Sequence, residues 1–139
     1  MTIVTVEETI AANANDVFKT LGDFGRIKVG GAITAFELEG EGVGAVRTIT
    51  MGGGQVIERL DEHDSEKLVF GYSILNEDNP LPVSNYSSRV EITANGEDAC
   101  TVNWSGTFEP KGADEAVASK VIRGIYTGGI ASTRKALGC

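Results

Sequence analysis

Arg47 and Glu58 fall on two successive extended segments, and neighbouring antiparallel strands can bring such residues across from one another. If both are buried, the two charges need each other or a ligand. Three roles stay open: a structural ion pair that holds the sheet, a pair that orients a ligand's polar end, or a carboxylate that transfers protons. Tyr72 and Tyr86 are open in the same way, as aromatic core members whose hydroxyls need partners inside a cavity. His63 is the single histidine, and Cys100 and Cys139 lie far apart. That excludes the His/Cys clusters of zinc and redox sites and leaves only a carboxylate site as a metal option; no structural metal and no cofactor is expected. No nucleophile, base and orienting group fall into a recognisable set.

The chain of 139 residues is 41% hydrophobic and carries a formal net charge of −8, which predicts one soluble domain over residues 1–139. Twenty acidic against twelve basic residues repel phosphate, so neither nucleic acid nor an anionic membrane is an expected partner. The apolar runs are far shorter than the roughly 18 residues of a membrane helix. The opening Met-Thr-Ile-Val-Thr-Val-Glu alternates like a strand and not like a signal peptide. Cys139 has no evident partner in Cys100, and a reducing cytoplasm is the expected location.

The elements that must position these side chains follow from periodicity and punctuation. Asn13-Ala-Asn-Asp16 caps a short helix that presents Val17, Phe18 and Leu21 and stops at Gly22. Six strands are predicted next: 32–38, 43–51, 55–60, 68–75, 86–94 and 101–108. Short glycine-containing turns between them imply an antiparallel meander, with the first strand added at one edge. Residues 114–137 then form one long helix, with Asp114 and Glu115 in its first turn, Arg134 and Lys135 in its last, and Gly138 as its stop. Its broad apolar face includes Val117, Val121, Ile122, Ile125, Tyr126 and Ile130. The expected fold class is α+β: a helix-grip arrangement of a seven-stranded curved antiparallel sheet around a long C-terminal helix, with short helices after the first strand. Gly124, Gly128 and Gly129 cost that helix roughly 2–3 kcal/mol relative to alanine. Either close helix-to-sheet packing offsets this, or Gly129 leaves open volume that a ligand fills.

The ordered runs Gly42-Val-Gly-Ala-Val-Arg47, Ile57-Glu-Arg-Leu60, Val69-Phe-Gly-Tyr-Ser-Ile74 and Asn85-Tyr-Ser-Ser88 resemble the START-related SRPBCC superfamily. This superfamily includes polyketide cyclase/dehydrase-like proteins, the birch-pollen-allergen group, norcoclaurine synthase and the abscisic-acid receptors, and the pattern is most similar to the receptors and small bacterial relatives. The resemblance implies a cavity under the sheet with Glu58 facing inward. Alternation then assigns Val56 and Leu60 to the same face, with Arg47, Ile49 and Met51 on the preceding strand. Phe70, Tyr72 and Ile74, then Tyr86, Ser88 and Val90, follow on later strands, while Val121, Ile125 and Gly129 match ligand-touching helix positions of the receptors. Lys28 lies near the receptors' lysine that pairs with the hormone's carboxylate; Lys28 or Val29 is the equivalent, and Lys28 is read as solvated.

The receptors' gate Ser-Gly-Leu-Pro-Ala is replaced by Gly52-Gly-Gly-Gln55, and the latch His-Arg-Leu by Leu81-Pro82-Val83. These departures argue against a hormone-gated phosphatase switch, although two flexible loops at the mouth can still serve as a lid. Two functions follow. The first is binding or carriage of a hydrophobic small molecule in an internal cavity, its polar end oriented by Arg47, Glu58 and the tyrosines. The alternative is a polyketide cyclase/dehydratase-like enzyme with Glu58 as acid/base and Tyr72 or Tyr86 holding a carbonyl or enolate.

Overall fold

The computed structural model describes residues 1–27 and 29–139. β1 (Thr2–Ile10) and α1 (Ala14–Leu21) precede a run of six strands, and α2 (Glu115–Leu137) closes the chain. The six are β2 (Ile33–Glu39), β3 (Val46–Met51), β4 (Gly54–Asp64), β5 (Val69–Ile74), β6 (Val83–Ala94) and β7 (Cys100–Pro110). With β1 they form one seven-stranded antiparallel sheet in the order β1-β7-β6-β5-β4-β3-β2. Strands β2 to β7 are a meander, and β1 returns to pair along the whole of β7, from Thr2↔Phe108 to Ile10↔Cys100. With α2 against one face of this curved sheet, the architecture is the helix-grip fold.

Local chemistry sets the boundaries. Asn13 caps α1 by accepting from the Asn15 amide, and Asp114 caps α2 by accepting from the Val117 amide at 2.9 Å. Gly138, at φ 75°, ends α2 in the left-handed conformation that favours glycine. The third predicted strand boundary shifts: β3 starts at Val46 rather than at 43, because Gly42 and Gly44 turn the chain at positive φ. β4 runs beyond 60 to Asp64, passing a register shift between Leu60 and Glu62. That shift turns His63 toward α1, where its ring lies 4.9 Å from that of Phe18. One short helix, not several, follows β1 among the described residues; beyond it the Asp23 side chain accepts from the Gly25 amide and closes a turn.

The 23 residues of α2 span about 35 Å. Ala118, Ile122, Tyr126, Ile130 and Thr133 are its buried stripe, and the helix packs on β1, β7 and α1. Arg134 ties the last turn to β1, donating to the Glu8 carboxylate at 2.7 Å and to the Thr9 carbonyl at 2.6 Å. The predicted broad apolar face is therefore divided. Val117, Val121 and Ile125 form a second stripe, largely open, beside the buried one. The helix lies toward the β1–β7 side of the sheet and does not cover the β3–β5 side, where α1 reaches only the end at His63 and Phe70. That offset makes the cavity described below.

Among the described residues no helix is long and apolar enough to cross a membrane. No group of three or more His, Cys, Asp or Glu residues there is placed to hold a metal ion. Cys100 is buried, Cys139 is exposed, and both thiols are free.

Candidate functional site

The uncovered half of the sheet and the open stripe of α2 enclose a cavity of about 720 Å³. Pleating decides which side chains reach it, since alternate residues of a strand share a face. β3 supplies Arg47, Ile49 and Met51, β4 supplies Val56 and Glu58, β5 supplies Phe70 and Tyr72, and α2 supplies Val121, Ile125 and Gly129. Ten residues assigned to a cavity from alternation and resemblance thus lie on one wall system. Leu60, Ile74 and Val90 share the inward face but are absorbed in packing: Leu60 and Val90 are buried core, and Ile74 is half-buried against it.

Tyr86 and Ser88 depart from the expectation. Both are buried, but neither lines the cavity. The side chains of α2 and β7 cover them. The Tyr86 hydroxyl lies 2.5 Å from that of Tyr126, Ser88 Oγ accepts from Trp104 Nε1 at 2.8 Å, and Ser88 Oγ donates to the Ser105 carbonyl at 3.1 Å. The tyrosine and serine hydroxyls therefore have their partners within the core. Trp104 and Tyr126 stack with ring centroids 4.5 Å apart. Two glycines make room for that stack. A Cβ on Gly106 would stand 2.0 Å from the Tyr126 hydroxyl, and one on Gly129 would stand 2.8 Å from the Trp104 ring. Gly129 thus serves close packing while its open side borders the cavity.

Arg47 and Glu58 are register partners on β3 and β4, and Arg47 Nε donates to Glu58 Oε1 at 2.8 Å. Their side chains are only 12% and 9% exposed. The guanidinium also donates to the Phe24 carbonyl at 3.3 Å and lies over the rings of Phe24 and Tyr72, 4.0 and 5.2 Å from their centroids. Three elements hold this one group. Burial, reinforced by the nearby Glu58 carboxylate, pushes the Tyr72 phenol well above its ordinary value, and burial likewise raises Tyr86 and Tyr126. At neutral pH all three tyrosines keep their protons.

Several wall residues had no sequence signal. Phe24 and Ile27 come from the irregular segment after α1 and Trp104 from β7, whereas Leu81 belongs to the β5–β6 loop already expected at the mouth. Ser132 completes the helix wall one turn beyond Gly129 and is polar, so an apolar periodicity passes over it. Asp23 and Arg26 stand exposed at the rim. The two loops expected to act as a lid touch each other. A Cβ on Gly54 or Gly52 would meet Pro80 at 3.4 or 3.6 Å, and the Asn76 side chain bonds the Ile57 amide and the Gln55 carbonyl at 3.0 and 2.8 Å. Lys28, the possible carboxylate partner, lies outside the described residues.

Residues 1–138 match the model of a family described as polyketide cyclase/dehydrase and lipid transport. The chain belongs to this family. No curated protein matches it. Among solved structures it is similar to the protein XoxI from Bacillus cereus, with 29% identity and a TM-score of 0.82, covering 98% of this chain and 95% of that one. A Bacillus thuringiensis protein is 28% identical with a TM-score of 0.81, covering 97% and 98% of the two chains. Norcoclaurine synthase from Thalictrum flavum shares the fold at 20% identity and a TM-score of 0.78, covering 98% of this chain and 85% of the synthase.

Proposed function

We propose that this protein binds or carries a hydrophobic small molecule of lipid, polyketide or terpenoid-like character in the cavity between β3–β5 and α2. The observation that carries this reading is the state of the second α2 stripe. Val121 and Ile125 are 37% and 40% exposed although they line an interior space whose opposite wall is Ile49, Met51, Val56 and Phe70. A helix that meets solvent on an apolar stripe beside a largely apolar chamber gains by burying that stripe, at about 25 cal/mol per Å². Filling the chamber with a guest achieves this without moving the helix. The family's description, which includes lipid transport, is consistent with it.

The cyclase/dehydratase alternative keeps one specific support: Glu58 and Tyr72 share a wall, so a carboxylate and a protonated phenol both face the same space. It loses Tyr86, whose hydroxyl is engaged by Tyr126 outside the cavity. In this reading Glu58 would transfer the proton and Tyr72 would hold the carbonyl or enolate.

The test is titration with Nile red, an uncharged apolar dye, against wild type and Ile125→Trp. Ile125 is partly open, so the larger ring enters the cavity without displacing core. Saturable one-to-one binding by wild type, weakened at least tenfold in a folded Ile125→Trp variant, supports the binding reading. Equal affinity in both proteins overturns it.

A further inference from the structure

We infer that the cavity selects an uncharged apolar molecule that ends in a hydroxyl, held at the Arg47–Glu58 pair, over the same molecule ending in a carboxylate. This deepens the binding reading and rests on it.

The selection follows from what the pair has left to offer. Arg47 has two donors committed, Nε to Glu58 and one terminal nitrogen to the Phe24 carbonyl; aromatic rings cover its faces, and Glu58 already balances its charge. Glu58 uses Oε1 for Arg47. Among the described residues Ser73 Oγ is the one sealed side-chain polar atom without a hydrogen-bond partner. The second Glu58 oxygen, which makes no hydrogen bond there, is therefore open to the chamber that Glu58 lines. An open carboxylate oxygen accepts and cannot donate, so the best guest group brings a proton donor. A hydroxyl can donate to that oxygen and accept from a remaining Arg47 N–H. A guest carboxylate can only accept, and it sets a second anion beside Glu58 against an apolar wall.

The other charged and titratable groups do not reverse this balance. From β5 Tyr72 presents a protonated phenol, from α2 Ser132 is not ionisable, and at the rim Asp23 and Arg26 are exposed and of opposite sign. Lys28 lies outside the described residues, and the pH profile below tests its effect with the rest. Two like charges in one poorly solvated site raise the protonation constant of one of them. A fatty acid should therefore enter as the neutral acid, and its affinity should climb as pH falls toward its solution pKa of roughly 4–5. The alcohol has no such dependence.

The experiment displaces Nile red from the wild-type protein with decanol and with decanoate between pH 8 and pH 5. At pH 8 decanol is expected to act at a concentration at least tenfold lower. Decanoate should gain about tenfold for each pH unit lowered, while decanol stays flat. In Glu58→Gln, which leaves Arg47 positive, decanoate at pH 8 should gain at least tenfold over its wild-type affinity. If decanoate at pH 8 matches or exceeds decanol and shows no pH dependence, the selectivity is overturned while the cavity reading stands. If the dye never binds, the cavity reading itself fails. The wild-type profile decides the matter even where the variant does not fold.

Discussion

At the scale of single residues, the Arg47–Glu58 pair is where stability and recognition conflict. Each side chain is about nine-tenths withdrawn from water, and each has the other as its counter-charge. Removing one partner of such a pair strands the other, which typically costs 3–5 kcal/mol, whereas replacing both with apolar groups is often neutral or stabilising. Glu58→Gln should therefore lower stability by about 3 kcal/mol, the contacts of Arg47 with Phe24 and Tyr72 cushioning part of the loss. The double change Arg47→Met with Glu58→Leu should recover most of it. Urea midpoints of the three proteins check this. A Glu58→Gln midpoint equal to wild type would mean that water already solvates the guanidinium. The pair was legible in the sequence because both residues lie on strands whose register one short turn, Gly52-Gly53, determines. The fate of Tyr86 and Ser88 was not. Alternation puts a side chain on the inner face, but whether it meets a cavity or core depends on where the helix lies over that face, and the covering groups, Trp104 and Tyr126, belong to other elements.

At the scale of elements, α2 carries glycines of two kinds. Gly129 and Trp104 require each other's shape, since an added Cβ would stand 2.8 Å from the indole ring. Gly124 and Gly128 face open space, and nothing in the structure explains their lack of a side chain. The signs of substitution should differ accordingly. Gly124→Ala and Gly128→Ala should each stabilise by about 0.5–1 kcal/mol through helix propensity and a less flexible unfolded chain. Gly129→Ala should instead destabilise by roughly 1–3 kcal/mol, because crowding the ring forces the helix or the indole to shift. Thermal denaturation of the three variants separates the two classes, and a stabilising Gly129→Ala would contradict the close approach. Sequence periodicity found this helix and its Gly138 stop; Asp114, expected within the first turn, is instead the residue that caps it. It merged two stripes into one broad face. A hydrophobic period reports which residues avoid water and not whether protein or guest provides the cover.

At the scale of the whole molecule, a 23-residue helix covers one side of a seven-stranded sheet and leaves the other side lined but unfilled. The meander order was readable from turn spacing, since short hairpins leave little choice of neighbour, and β1 was placed at an edge; that the edge is β7 was not readable, because no short turn joins the two strands. The segment between α1 and β2 was not readable, for it has no period and its contributions, Phe24 and Ile27, are made in irregular backbone. That segment and α2 together convert an open sheet face into a chamber of about 720 Å³. The central claim is that this chamber is a binding site. The most direct test is a methyl-resolved NMR titration of the wild-type protein with decanol. The account predicts saturable shifts centred on Ile49, Met51, Val56, Val121 and Ile125, with Ile3 and Val43, exposed outside the cavity, unmoved. Shifts confined to Ile3 and Val43, or no saturable shifts at all, would contradict it.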